Sequence, residues 1–136
     1  MIVHASTVAV NGRAALIRGA SGSGKSSLAL QLMALGAGLV ADDRSELWRV
    51  GADVFARPAP HIQGLIEARG IGILSAPMAA PAALRCVIDL DAEETERVPQ
   101  RSTTLLDVRL PLLHKVDSPA WPAALRAYLA YGKADR

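Results

Sequence analysis

The chain has 136 residues, of which 51% are hydrophobic and 4% aromatic, with a formal net charge of +2. That length fits one domain with a sizeable core of Ala, Leu, Val and Ile, and the charge is too small to argue for nucleic acid or an anionic membrane as a partner. A single cysteine, Cys86, excludes an internal disulfide and fits a reducing compartment. No apolar run approaches the ~20 residues of a membrane-spanning helix. Residues 1–7 lack the basic and apolar regions of a secretory leader. The expectation is a cytoplasmic protein whose residues 1–136 form a single domain.

Along the chain, Val3–Val10 and Arg13–Arg18 read as strands around Asn11-Gly12, a hairpin turn in which both residues tolerate positive φ. The second strand runs into Gly19-Ala20-Ser21-Gly22-Ser23-Gly24-Lys25-Ser26, which fills every fixed position of the G-x-x-x-x-G-K-[ST] phosphate-binding loop (P-loop). A helix is expected from Ser26 to Leu35, with Leu28, Leu32 and Leu35 at helical spacing and glycine at 36 and 38 to end it. Leu39-Val40-Ala41 reads as a short buried strand ending in Asp42-Asp43. A second hairpin, Ser45–Val50 and Asp53–Ala56, turns at Gly51-Ala52. After the loop at Pro58-Ala59-Pro60, a short helical piece is expected over Ile62–Ala68, then a strand or turn over Ile71–Leu74. Arg85–Leu90 reads as a strand, Asp91–Arg97 as a charged loop or helical turn, and Thr103–Leu113 as one strand with Pro111 near an edge or end. Pro122–Tyr131 closes the chain as a helix, with proline in its first turn. The sum is a mixed α/β fold, with too many hairpins for a purely parallel sheet.

The P-loop carries the strongest chemical signal. Its glycines let successive backbone N–H groups converge on a phosphate, Lys25 adds a point charge for the outer phosphates, and the Ser26 hydroxyl can hold Mg²⁺. Residues 19–27, with Ser27 at the start of the helix, are the expected nucleotide-binding set. Asp42 and Asp43 stand at the end of an apolar strand, where such enzymes keep the metal and the phosphates. Because neighbours on an extended chain point opposite ways, one carboxylate can organise the metal while the other accepts a proton. Without the P-loop the pair would read as a solvated turn. Glu67 could reach a metal and Arg69 a phosphate, although a surface ion pair is the plainer reading. His4, Arg97 and Arg101 are unexceptional on their own.

Taken in order, these residues resemble the catalytic domain of the HPr kinase/phosphorylase family. The elements that carry the likeness are His4, the P-loop Gly19–Ser26, Leu39-Val40-Ala41-Asp42-Asp43-Arg44, and Leu65-Ile66-Glu67-Ala68-Arg69-Gly70-Ile71-Gly72. The match spans roughly residues 2–113, and its specificity lies in the combination. It implies a P-loop kinase fold akin to that of phosphoenolpyruvate carboxykinase, with a mixed sheet, hairpins and few helices, in the compact form that consists of the C-terminal catalytic domain alone. It also implies transfer of phosphate from ATP to a serine of the phosphocarrier protein HPr, with Mg²⁺. Lys25 would hold the outer phosphates, Ser26 and Glu67, with Asp42, would attend the metal, and Asp43 would be the base. His4 would support proton transfer, and Arg97 would stand at the transfer site. Phosphate-dependent dephosphorylation, the use of pyrophosphate and a homo-oligomeric assembly belong to the same implication. The segment His114–Pro119 departs from the family pattern. A small-molecule kinase or ATPase, and a nucleotide-binding regulatory module without chemistry, remain alternatives on the residues alone.

Overall fold

The computed structural model describes residues 1–134. Eleven strands and two helices follow one another as β1 (Ile2–Val3), β2 (Ala5–Val10), β3 (Arg13–Arg18), α1 (Lys25–Ala34), β4 (Gly38–Ala41), β5 (Ser45–Val50), β6 (Asp53–Pro58), β7 (Leu65–Ala68), β8 (Gly72–Ser75), β9 (Ala82–Glu93), β10 (Ser102–Leu105), β11 (Val108–Lys115) and α2 (Trp121–Tyr131). Nine strands form one sheet with the order β1-β5-β6-β9-β3-β2-β4, to which β11 adds beside β9 and β10 beside β11. Only the pairs β3–β9 and β11–β9 are parallel; β7 and β8 make a separate hairpin. The mixed α/β architecture with few helices is therefore as expected.

Most residues of β2, β3 and β9 are buried on both faces, so these strands read as continuous apolar runs without alternation. Ala15, Ile17, Cys86 and Ile88 point to the side carrying both helices, where α1 delivers Leu28, Ala29 and Leu32 and α2 delivers Leu125 and Leu129. Ala14, Leu16, Leu84 and Val87 point the other way, onto Leu47 and Val54 of the β5–β6 hairpin and Val40 of β4. β4 touches β6 although several strands separate them in the sheet order, which means that the sheet curls over its own face. Small alanines in the middle strands permit this close approach. Burial pushes the Cys86 thiol up to about 12, so it packs as an inert, protonated side chain.

Several boundaries differ from the sequence expectation, each for a tertiary reason. The first strand divides at His4, because β1 pairs with β5 whereas β2 pairs with β3 and β4. Residues 62–68 hold no helix. Leu65–Ala68 is a strand in which Ile66 and Ala68 alternate inward, and pairing with β8 overrides the helix preference of Leu, Glu and Ala. β9 runs three residues past Leu90, through part of the expected charged loop. Thr103–Leu113 is a hairpin, β10–β11, turned at Leu106-Asp107. Both turn residues have positive φ (49° and 62°), and only Asp107 is of a type that favours it, so the turn left a weak signal. Pro111 comes just before β11 begins to pair with β9 at Leu112, where its missing N–H costs no parallel ladder bond.

The loop between β9 and β10 is closed by a fork-to-fork pair: Arg101 donates Nε and Nη2 to Glu94 at 3.0 and 2.9 Å. The Arg101 hydrogen bonds, helped by the Thr95 and Glu96 amides, lower the Glu94 carboxyl from its ordinary 4.5 to about 2. A lowered folded-state value means that the pair's stabilisation is complete above about 4.5 and is lost as pH falls through about 2. Glu94→Gln should therefore melt below the parent protein at pH 7, with the gap closing as pH drops through that window. Denaturant melts across the pH series measure it, and a gap independent of pH would exclude the linkage.

Candidate active site at the phosphate loop

The loop joins β3 to α1. Gly24, at φ 103°, is the N-cap of α1. That helix has no side-chain cap hydrogen bond and no acidic residue in its first turn. Its first amides and the positive end of its dipole are left to meet an anion. Lys25 folds back over the loop, its Nζ donating to the carbonyls of Gly19 (2.9 Å) and Ala20 (3.1 Å). Ser23 N–H closes a turn onto the Ala20 carbonyl at 3.0 Å. Gly19 is required by crowding: a Cβ there would lie 2.5 Å from Ser23 Oγ and 3.3 Å from Leu90 Cβ.

Across the loop stands the end of β4. Asp42 is buried, at 7% exposure, and its Oδ1 accepts from Ser26 Oγ and Ser6 Oγ, both at 2.7 Å. Its Oδ2 accepts from Glu67 N–H at 3.3 Å. One carboxylate thus ties together β2, α1 and β7. The chain then turns sharply, with Arg44 N–H on the Asp42 carbonyl at 2.7 Å and Asp43 at φ 66°. Asp43 is exposed, and its N–H donates to Ser6 Oγ at 3.3 Å.

The result is a cleft of about 450 Å³. Ser21, Gly22, Gly24, Lys25, Ser26 and Ser27 form one wall, and Asp43, Glu67 and Arg69 the other. Of the residues singled out in the sequence, the fold brings these together, with Asp42 immediately behind them. His4, at the bend before β2, and Arg97, in the loop after β9, are exposed and line neither wall. Among the described residues no three His, Cys, Asp or Glu side chains gather as a dedicated metal cage. The donor set still suits Mg²⁺, which favours oxygen ligands and commonly uses one or two carboxylates plus substrate phosphates.

Two contributors were not visible in the sequence. Ser6 bridges Asp42 to the Asp43 amide and reads in the sequence only as one of two polar residues, with Thr7, in an otherwise apolar strand. Asp91 accepts from Ala20 N–H through both carboxylate oxygens at 3.0 Å. Arg18 of β3 is in parallel register with Asp89 of β9, so residues two further along each strand meet. Without that register, Asp91 reads as loop charge.

These features define a P-loop domain built on a curled, mixed sheet. Residues 1–80 match the family described as HPr Serine kinase C-terminal domain, and the chain belongs to that family. It is 48% identical over 73 residues to an HPr kinase/phosphorylase of Bordetella pertussis, covering 53% of this chain and 24% of the relative. It is 49% identical over 61 residues to one of Chromobacterium violaceum, covering 44% and 19%. The chain thus spans about a quarter or less of the length of these relatives. The HPr(Ser) kinase/phosphatase from Coxiella burnetii has the same fold, with a TM-score of 0.79 at 20% identity over 93% of this chain and 92% of that one. No helix among the described residues is long and apolar enough to cross a membrane.

Gly19→Ala should destabilise the protein by about 1–3 kcal/mol, because the new methyl displaces Ser23 and presses on Leu90. Denaturant unfolding would test this, and an unchanged midpoint would show that the loop has more room than its contacts imply.

Proposed function

We propose that this chain transfers the γ-phosphoryl group of ATP to a serine hydroxyl of an HPr-like phosphocarrier protein in the cytoplasm. One observation carries the proposal: the acidic residues Asp43 and Glu67 share a cleft with Lys25 and Ser26 of the loop. Membership of the HPr serine kinase family supports the choice of acceptor over a metabolite, as do the names of the relatives. A site that only bound nucleotide would need neither carboxylate.

Phosphoryl transfer asks for positioning and charge neutralisation more than covalent chemistry. The amides at residues 22–26 and the Lys25 ammonium would hold the phosphates against the start of α1. Lys25 already lies across the loop, so little rearrangement is needed for its charge to face an anion. Ser26 and Glu67 would hold Mg²⁺, with Asp42 fixing the Ser26 hydroxyl and the Glu67 backbone from behind. Mg²⁺, when bound, supplies neutralisation of the phosphate oxygens. Asp43, exposed on a tight turn, would orient the incoming serine hydroxyl and accept its proton. In the reverse direction, with phosphate as acceptor, the same carboxyl would return that proton to the serine oxygen. Arg69, on the Asp43 wall, would meet the transferred group. His4 and Arg97 have no part in this scheme as the cleft stands.

Incubation with labelled ATP, Mg²⁺ and purified HPr, followed by mapping of the phosphorylated residue, tests the reaction; label in a metabolite or in free phosphate alone would refute it. Asp43→Ala should lower transfer by about 10²–10⁴ while ATP affinity stays within about twofold. Near-normal turnover would remove Asp43 as the base. Lys25→Ala should instead weaken ATP binding and transfer together, read by calorimetry and by rate; unchanged affinity would contradict the cradle.

A further inference from the structure

The phosphate loop has a second side. A smaller cleft, of about 250 Å³, opens between the start of α1, the end of β9 and the segment leading into α2. It shares Gly24 and Ser27 with the catalytic cleft, so the two hollows meet at the first turn of α1. Their chemistry differs. The catalytic cleft carries Lys25, Asp43, Glu67 and Arg69, whereas the walls of the smaller one include Leu28, Leu90 and Trp121, with Gln31 and Lys115 at polar positions.

We propose that this second cleft receives the nucleoside part of the nucleotide, so that Trp121 and Gln31 decide for a nucleotide over bare polyphosphate. The inference rests on the nucleotide reading above and adds to it a place for the base and sugar. A polyphosphate needs the amides and the cation; a base needs a partly apolar slot with a few polar groups, within reach of the phosphates. At about 250 Å³ the hollow is smaller than the ~300–1,000 Å³ usual for a whole small-molecule ligand, as suits a subsite for part of one. Its outer wall is preformed: Ala120 N–H donates to Ser118 Oγ at 3.2 Å, and Trp121 N–H to the Ser118 carbonyl at 3.1 Å. Trp121 also packs against the helix-side core, which fixes the indole's position. Ser23, which lines the cleft from the side of the phosphate loop, buries its Oγ without a hydrogen-bond partner among the described residues. These walls come largely from residues 115–122, beyond the stretch that matches the family.

The chain has two tryptophans, so Trp48→Phe leaves Trp121 as its only indole. In that background, Mg²⁺-ATP should change the indole emission saturably, whereas Mg²⁺-tripolyphosphate should bind by calorimetry without that change. Trp121→Ala should weaken ATP by about tenfold, the scale of one lost base–aromatic contact, and leave tripolyphosphate within about twofold. Gln31 is exposed on α1, so Gln31→Ala keeps the fold and provides the same comparison if Trp121→Ala does not fold. A silent indole with equal losses for both ligands would overturn the nucleoside subsite and leave the phosphate cradle standing. Failure of both ligands to bind the parent protein would overturn the cradle, and the subsite with it.

Discussion

The site depends on the buried carboxylate of Asp42. An ionised group at 7% exposure is costly unless its oxygens are satisfied, and here they accept from Ser6, Ser26 and the Glu67 amide. Those three donors belong to three separate elements. Satisfying one charge therefore fixes the angle of α1, the end of β4 and the start of the β7–β8 hairpin relative to one another. The same Ser6 hydroxyl accepts from the Asp43 amide, so the exposed carboxyl beside it stands on a braced turn. Removing any one donor would leave this charge under-satisfied and loosen two walls of the cleft together.

Much of this was legible in the residues. The loop, the helix after it and the Asn11-Gly12 hairpin announce themselves through local chemistry: glycines where φ is positive, leucines at helical spacing, a lysine and a serine at fixed offsets. The termination of α1 is legible too: Gly36, at φ 102°, lets its own amide and that of Ala37 bond back to Met33 and Leu32. What escaped depended on distant partners. The strand at Leu65–Ala68 exists because β8 is available to pair with it. The break at His4 exists because the chain changes neighbours there. Asp91 reaches Ala20 only through a parallel register between strands some seventy residues apart. Leu106-Asp107 hid a turn because leucine is an unusual choice at positive φ.

The two halves of the chain relate differently to known proteins. Sequence similarity is concentrated in residues 1–80, which hold the loop, Asp42, Asp43 and Glu67. The fold likeness extends over 93% of the chain at 20% identity, so it takes in later strands beyond the stretch that the family model matches. The smaller cleft against the loop is built mostly from that second half.

The strand at the middle of the sheet arrives late in the chain. β9 lies between β3 on one side and β6 and β11 on the other. Until residue 93 has left the ribosome, the open edges of β3 and β6 have no native partner. The segment carrying the recognisable motifs is therefore two unfinished sheet fragments, each exposing unpaired backbone and apolar alanine, leucine and valine surface. Such edges invite pairing with other chains. A piece ending near residue 80 would keep the whole phosphate loop and yet have no stable sheet to mount it on, which makes the least recognisable half of the molecule the one that closes its architecture.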